Sequence, residues 1–270
     1  MSTFMMNLVH IVLQKLIFID ILILCLGTIC CTHNTGNEEI PFYQESFYTA
    51  HAFGAVDGIT YTNSQEAFFS SMEKGCVIFE VDVTLSSDGI PICRHFGSDT
   101  VTHQEFMNSK INGRYTPCDL QFLIDRLIEY PWIYFDLDIY KDKAEIASYI
   151  KRLVMDLPER HRQSVFDRLI IECYGYDGYE KIAGVYRFKN MVLTLSEMGG
   201  ADHAEVCRFM ETNAIEVVLI GFPLLTREVA EIYKGHGRKI IAFTINTRDE
   251  EELCRELGCV GIQTDFLVGK

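Results

Sequence analysis

The feature that most constrains the fold is an alternation of strand-like and helix-like runs, which begins near residue 45 and continues to the C-terminus. Apolar, β-branched and aromatic residues predict strands at 47–52, 77–85, 132–140, 169–174, 191–195, 217–221, 239–245 and 261–265. Helical patterns lie between them at 64–74, 119–129, 144–156, 179–186, 203–211, 226–234 and 249–257. Cap-type residues open several of these helices, namely Ser64, Asp119 and Thr226. Eight β/α units in this length predict an α/β fold of the (β/α)8 TIM barrel type.

The alternative fold is an open, doubly wound sheet. It is disfavoured because no G-x-G-x-x-G motif follows the first predicted strand. No low-complexity or linker segment interrupts the later part of the chain, so residues 45–270 are predicted to form one domain. One connection, at residues 86–118, is long and is predicted to form a lid or an inserted subdomain.

The N-terminal segment differs in character from the rest of the chain. Residues 8–31 are mostly apolar, with Lys15 and Asp20 as their charged residues, and the polar run T-H-N-T-G-N-E-E follows. This pattern is typical of a secretory signal or an uncleaved membrane anchor. We therefore predict that residues 1–35 are a signal peptide or membrane anchor, and that the protein is exported or membrane-anchored, outside the cytoplasm. A buried N-terminal helix is the alternative, and the lack of an amphipathic pattern disfavours it.

Net charge and cysteine usage restrict the partners of this chain. The formal net charge of −14 is expected to repel nucleic acid, and a phosphate-bearing substrate would need a cation in the site. Seven cysteines follow the N-terminal segment, without any C-x-x-C pair and mostly in apolar runs. We interpret them as thiols of the core, because neither a disulfide framework nor a zinc site has this pattern.

Two carboxylates lie inside the second predicted strand, in the run F-E-V-D-V. Glu80 and Asp82 are two residues apart and so share one face of the strand, and Asp136 and Asp138 repeat this spacing on the third. Burying like charges side by side is unfavourable unless a positive group lies between them. Such an oxygen-rich pocket suits a hard divalent cation, Mg²⁺ or Ca²⁺. The alternatives are a basic partner, for which Arg94 is available, and partial exposure at the strand end.

Polar side chains also lie where the predicted strands end, which is the edge of a TIM barrel that carries function. His51 ends the first strand, and His95 follows the turn after the second. Imidazoles take and give protons near neutral pH, so two of them flanking a scissile bond would form an acid–base pair. The alternative for each is a structural, hydrogen-bonded histidine. Glu172, Asn246 and Asp265 lie at or just past other strand ends, and Asn246 is alternatively a helix cap.

Several motifs, in order along the chain, resemble those of the glycerophosphodiester phosphodiesterase family, within the barrel phosphodiesterases related to phosphatidylinositol-specific phospholipase C. The family's His-Arg, E-N-T-x-x-A-F, E-x-D-V, K-D-G-x-P-V and H-D correspond to A-H-A-F-G, T-N-S-Q-E-A-F, F-E-V-D-V, S-D-G-I-P-I and R-H-F. Its Y-T-P-L, W-T-V-N and G-V-D-G-I-x-T-D correspond to Y-T-P-C-D-L, F-T-I-N and G-C-V-G-I-Q-T-D. The resemblance covers about residues 48–267.

This resemblance implies a metal-dependent phosphodiesterase acting on a small-molecule or lipid-derived glycerophosphodiester. It implies His51 and His95 as the acid–base pair and Glu80 and Asp82 as metal ligands. The third family ligand lies in an E-I-K pattern, and the corresponding D-I-Y run places Asp138 in that position. The alternatives are a lyase that forms a cyclic phosphate and a non-catalytic barrel that binds phosphorylated polyols.

The chain departs from the family pattern at three positions near the expected phosphate. Ala52 replaces the arginine after the first histidine, Phe96 the aspartate after the second, and Tyr140 the lysine of the third strand. Three nearby basic residues are candidates to replace the missing arginine and lysine, namely Lys141, Arg94 and Lys143. The sequence therefore predicts a phosphodiester substrate without specifying the groups that the phosphate joins.

Overall fold

The computed structural model describes residues 40–97, 101–196, 198 and 200–268. The predicted signal or anchor segment at residues 1–35 lies outside this part of the chain. Within the described residues, no helix is both long and apolar enough to cross a membrane.

Eight parallel strands form a closed barrel surrounded by helices, which confirms the predicted (β/α)8 architecture. The strands of the sheet are β1 Tyr48–Ala50, β2 Ile78–Leu85, β3 Pro91–Cys93, β4 Tyr134–Asp138, β5 Leu169–Tyr174, β6 Asn190–Thr194, β7 Val217–Gly221, β8 Lys239–Phe243 and β9 Gly261–Thr264. Their order is β1-β9-β8-β7-β6-β5-β4-β2-β3, and β1 also pairs with β2, so the barrel closes. β3 is antiparallel to β2 and stands outside the ring.

The helices of the described residues follow the strands along the chain. They are α1 Phe42–Glu45, α2 Gln65–Glu73, α3 His103–Asn108, α4 Leu120–Glu129, α5 Lys143–Met155, α6 Glu159–Phe166, α7 Gly175–Ala183, α8 His203–Thr212, α9 Arg227–Gly235 and α10 Arg248–Leu257. The predicted caps Ser64, Asp119 and Thr226 each accept a hydrogen bond from the backbone N–H three residues on, which confirms those helix starts.

An apolar layer fills the barrel near the N-terminal ends of the strands. Alternate residues of each strand point inward, so residues such as Ile78 and Ile170 face the barrel axis while their neighbours face the helices. Phe42 of α1 packs into the same layer. The buried members of the layer are Phe42, Ile78, Ile170, Val192, Val217, Leu219 and Ile241.

A polar layer follows in the barrel interior. Gln263 of β9 donates hydrogen bonds to Asp136 of β4 at 3.1 Å and to Glu172 of β5 at 2.9 Å. These bonds cross the barrel interior, because β9 is adjacent to neither β4 nor β5 in the sheet. Thr194 donates a further bond to Glu172 at 3.1 Å. Asp136 and Glu172 are therefore joined through Gln263 in one hydrogen-bonded network.

The long connection at residues 86–118 is packed on the barrel in its described parts. It contributes β3 and α3, and Cys93, Tyr115 and Cys118 are buried in the main core between sheet and helices. These described parts therefore do not form a separate subdomain, which had been expected from the length of the connection alone. The short alternating run P-I-C is a strand because it pairs with the extended C-terminal half of β2.

Four of the described helices differ from their sequence-based expectation. The short helices α1 and α3 were not predicted. α6 was not expected, because its sequence E-R-H-R-Q-S-V-F is strongly polar and has only Val165 and Phe166 as buried residues. α7 begins at Gly175, whereas its predicted start was residue 179. The prediction was late because the run G-Y-D-G resembles a turn in sequence. The seven cysteines after the N-terminal segment are free and buried, as expected of core thiols: Cys76, Cys93, Cys118, Cys173, Cys207, Cys254 and Cys259.

Candidate active site

A sharp turn after β1 places His51 at the C-terminal mouth of the barrel. His51 begins a single 3₁₀ turn in which Ala52 and Phe53 have φ of 46° and 69°. Gly54 follows with φ of 82°, and a Cβ added there would lie 2.5 Å from Oγ of Ser71. That Ser71 hydroxyl donates to the carbonyl of Phe53 at 2.6 Å. Glycine is required at this position, because both the backbone conformation and the close approach exclude a side chain.

His51 is oriented by residues from the opposite end of the sequence. Its Nδ1 donates to Oδ1 of Asp265 at 2.9 Å, and Asn246 donates to the other oxygen of Asp265 at 2.7 Å. Because carboxylate oxygens accept hydrogen bonds, this contact orients the ring with Nδ1 as the donor. Nε2 lies 3.9 Å from Oε2 of Glu80. Asn246 belongs to the site and is not the helix cap, which is Thr247.

The three predicted metal ligands come together at the mouth. Register places Asp82 of β2 directly beside Asp138 of β4. Glu80, Asp82 and Asp138 each offer one oxygen, and these oxygens lie within 4.8 Å of one another. The backbone N–H of Ala52 donates to Glu80 at 2.5 Å, and the hydroxyl of Tyr174 donates to Asp138 at 2.8 Å.

Asn63 holds Asp82 from both sides. Its amide nitrogen donates to Oδ2 of Asp82 at 2.7 Å, and its amide oxygen accepts from the backbone N–H of Asp82 at 3.0 Å. Asn63 itself is fully buried, with φ of 46°. Asparagine adopts such left-handed conformations more readily than most residues, so the amide is held in place before any ligand binds.

The electrostatics of this cluster suit a cation. Burial raises the pKa of Glu80 well above its usual range, and the charges of Asp82 and Asp138 raise it further. Burial, followed by the charge of Asp82, raises the pKa of Asp138 to about 7. Among the described residues, the buried Oδ1 atom of Asp138 has no hydrogen-bond partner. An all-oxygen set with an orphaned carboxylate oxygen fits a hard divalent cation such as Mg²⁺ or Ca²⁺.

His95 lies on the exposed side of the mouth, just after β3. Its Nδ1 donates to the carbonyl of Phe96 at 3.1 Å. The ring of Tyr61 lies between the two histidines, with its centre 4.8 Å from the ring centre of His51 and 5.7 Å from that of His95. Tyr61 has φ of 58°, an unfavourable conformation for this residue type. The loop after β1 thus holds an aromatic ring against both predicted catalytic side chains.

A cavity of about 260 Å³ opens beside the cluster. Its lining includes carboxylates, one histidine, two basic side chains and an aromatic wall: Asp82, Val83, Thr84, Arg94, His95, Phe96, Asp138, Tyr140, Lys141, Tyr174 and Ser196. The cavity therefore joins two predicted metal ligands to one predicted catalytic histidine.

The three departures from the family pattern have visible consequences. Ala52 is fully buried in the turn after β1. Tyr140 and Phe96 are partly exposed, and their ring centres lie 5.7 Å apart. Tyr140 also contacts Tyr174, with ring centres 5.3 Å apart. An aromatic wall thus stands where the family pattern has an acid and a base.

Residues that the sequence did not single out complete the site. Tyr61, Asn63 and Tyr174 all contact predicted site residues. Asn63 carried a usable signal, because it occupies the asparagine position of the family's E-N-T motif in the run T-N-S. Tyr61 and Tyr174 carried none, since their roles depend on contacts made only in the folded barrel.

No family model matches the sequence, and no curated protein matches it. Solved structures do resemble the fold. A protein from Galdieria sulphuraria that is assigned as a glycerophosphodiester phosphodiesterase superimposes with a TM-score of 0.70 at 14% identity, covering 85% of this chain and 96% of its own. A phosphodiesterase from Oleispira antarctica, solved with the product sn-glycerol-3-phosphate, has a TM-score of 0.65 at 16% identity, with coverage of 82% and 93%.

A glycerophosphodiester phosphodiesterase from Thermotoga maritima is similar to the same extent, with a TM-score of 0.62 at 17% identity and coverage of 81% of this chain and 94% of its own. Identities this low show a common fold. The resemblance suggested by the sequence motifs is thereby confirmed at the level of fold: this chain has the barrel of the glycerophosphodiester phosphodiesterases.

Proposed function

We propose that the protein is a metal-dependent phosphodiesterase that cleaves a glycerophosphodiester-type substrate, small or lipid-derived, into glycerol phosphate and an alcohol. The observation that carries this proposal is the convergence of His51, His95 and the carboxylates of Glu80, Asp82 and Asp138 on one mouth of the barrel. Product binding by the structurally similar Oleispira antarctica enzyme supports the substrate class.

Glu80, Asp82 and Asp138 would hold a divalent cation, Mg²⁺ or Ca²⁺. When bound, this cation would neutralise charge on the phosphate and stabilise the charge that develops during cleavage. Asn63, Tyr174 and the backbone of Ala52 orient the three carboxylates through the hydrogen bonds described above.

The two histidines have environments that suit different roles. The contact between Nδ1 of His51 and Asp265 favours the tautomer whose Nε2 has a lone pair, which would take a proton from the attacking hydroxyl group. The carboxylate of Asp265 then stabilises the imidazolium that forms. His95 is exposed to solvent at the mouth, which suits a role as the acid that protonates the leaving alkoxide. Attack by water gives an open monoester, and attack by a neighbouring substrate hydroxyl gives a cyclic phosphate.

A panel of phosphodiesters, assayed with Mg²⁺, with Ca²⁺ and with a chelator, tests this function. We expect turnover with a divalent cation and its loss on chelation. Asp138→Asn should lower metal affinity and turnover together by at least about 100-fold, because a neutral amide is a poorer ligand for a hard dication. Asp136→Asn is the matched control, since Asp136 lies two residues away on β4 and bonds to Gln263.

The outcomes separate this proposal from its alternatives. Full turnover by the chelated protein would contradict the metal assignment. A cyclic phosphate as the final product would identify a lyase. Metal-dependent substrate binding without turnover would favour a non-catalytic barrel.

We further propose that residues 1–35 direct export or anchor the protein at a membrane, on the basis of their apolar run. Cell fractionation of the full chain against a form that starts at residue 36 tests this. The full chain should be found with membranes or outside the cytoplasm, and the shortened form in the cytosol. A full chain that stays wholly in the cytosol would contradict the proposal.

A further inference from the structure

A bound phosphodiester adds negative charge to a site that already contains several carboxylates. Besides a metal ion, such a site needs cationic side chains that offset this charge. The arginine and lysine expected from the family pattern are replaced by Ala52 and Tyr140. The other basic side chains at the cavity are therefore the candidates to contact the bound substrate.

Two basic side chains, Arg94 and Lys141, line the same cavity as His95 and Asp138. The guanidinium of Arg94 lies over the ring of Phe106 on α3, 5.9 Å from its centre. Because Phe106 is buried, this contact places the guanidinium of Arg94 beside α3. Lys141 follows β4 at the mouth and has an exposed side chain.

Lys143 is the third candidate cation, but it is not among the residues that line the cavity. Its ammonium donates to the backbone carbonyl of Tyr140 and lies 5.3 Å from the ring centre of Tyr174. The ammonium of Lys141 lies 3.7 Å from the ring centre of Phe96, closer than the ammonium of Lys143 lies to either tyrosine ring. Rings of the aromatic wall contact both lysines, but of the two it is Lys141 that lines the cavity.

We propose that Lys141 is the substrate-binding cation of this site, and that Phe96 holds its ammonium ready on the cavity wall. On binding, the ammonium leaves the ring face and contacts a phosphate oxygen. This exchange is favourable because a charge-assisted hydrogen bond to phosphate is stronger than a cation–π contact at an exposed site. The inference rests on the proposed function for its phosphodiester ligand.

The same proposal explains two departures together. Phe96 replaces an acid of the family pattern, and an acid at that position would hold the ammonium in an ion pair in competition with the substrate. Tyr140 fills the position of the family's lysine and supports the ring of Phe96. In this proposal, the binding cation lies at position 141 and not at position 140 of the family pattern, and its ammonium contacts the aromatic wall.

The test uses sn-glycerol 3-phosphate as the probe, with binding measured by calorimetry in saturating Mg²⁺ or Ca²⁺. Lys141→Met should weaken binding roughly 10- to 100-fold, the range for losing a hydrogen bond to a charged group. Lys143→Met is the matched control, because it removes the same charge two residues away, and it should bind like the wild type. Lys141→Arg should restore most of the affinity.

Phe96→Leu tests the holding role, because leucine keeps apolar bulk but lacks a π face. The probe should bind about two- to fivefold more tightly, because the wild-type ammonium gives up an exposed cation–π contact when it leaves the ring for the phosphate. Metal affinity and the thermal unfolding midpoint should be unchanged in both Phe96→Leu and Lys141→Met. A shift in either quantity would indicate a structural effect and overturn the inference.

The results distinguish this inference from the proposed function. If the wild type turns over phosphodiesters but both methionine variants bind the probe equally, Lys141 is not the binding cation and the function stands. If no phosphodiester is turned over but binding depends on Lys141, the function fails and the inference stands. Absence of both turnover and probe binding in the wild type overturns both.

Discussion

His51 and His95 differ in burial and in hydrogen bonding, although they face the same aromatic ring. His51 is 9% exposed and bonded to Asp265, whereas His95 is exposed and bonded to the backbone of Phe96. A buried imidazole with a carboxylate behind it is suited to accept a proton, and an exposed one is readily reprotonated by water. At the scale of single residues, this asymmetry favours His51 as the proposed base and His95 as the proposed acid.

Replacing each histidine by alanine tests that assignment. His51→Ala and His95→Ala should each reduce turnover of a natural phosphodiester by roughly 10²–10⁴-fold, the usual contribution of one positioned acid or base. A nitrophenyl phosphodiester has a leaving group that needs no protonation. It should restore much of the rate of His95→Ala and little of the rate of His51→Ala, as steady-state kinetics would measure.

The opposite pattern, with rescue of His51→Ala alone, would exchange the two roles. Near wild-type turnover by both single variants would refute the two-histidine mechanism. The double variant should lose much less than the product of the two single losses, because groups that act as a unit are not additive.

At the scale of elements, the helix α1 contributes a buried residue to the barrel interior although it is only four residues long. Phe42 packs into the apolar layer that closes the N-terminal end of the barrel, with strand residues such as Ile78, Val217 and Ile241 around it. Phe42 is 5% exposed, although it precedes the first strand. The helix therefore closes the barrel at the end opposite to the site.

Phe42→Ala should lower the free energy of unfolding by about 3–5 kcal/mol, the usual cost of removing a buried phenylalanine. Gln44→Ala, at an exposed position of the same helix, should change it by about 0.5 kcal/mol or less. Urea unfolding followed by circular dichroism measures both. Equal stabilities of the two variants would show that Phe42 does not pack into the barrel in solution.

At the scale of the whole molecule, the barrel encloses a buried layer of acids between its apolar end and its site. Burial, together with the charges of Asp136 and Asp138, raises the pKa of Glu172 well above its usual range. The folded state therefore binds this proton more tightly than the unfolded state does. Between the unfolded and folded pKa values the folded state holds more protons, so stability falls as pH rises.

Glu172→Gln should remove this contribution and make the pH dependence shallower. Relative to the wild type, the variant should gain stability as pH rises from about 5 to about 8, because only the wild type must ionise a buried acid there. Urea midpoints at both pH values, with chelator present throughout, measure the change. Glu256→Gln, at an exposed position of α10, should follow the wild type. A constant difference between Glu172→Gln and wild type would contradict the prediction.

The sequence by itself determined the barrel, most helix starts and the residues of the carboxylate cluster. These features depend on local patterns, because a strand repeats every two residues, a helix about every 3.6, and a cap lies next to its helix. The spacing of Glu80 and Asp82 placed both on one strand face, and register with β4 then brought Asp138 beside Asp82.

Only the tertiary structure decided which distant residues support that cluster. His51 and Asp265 are 214 positions apart, and Gln263 reaches acids on two strands across the barrel interior. Tyr61 lies between two histidines through a loop with an unfavourable backbone angle, and Lys141 rather than Lys143 lines the cavity. Closing the barrel creates these contacts between separate elements, so no local pattern in the chain encodes them.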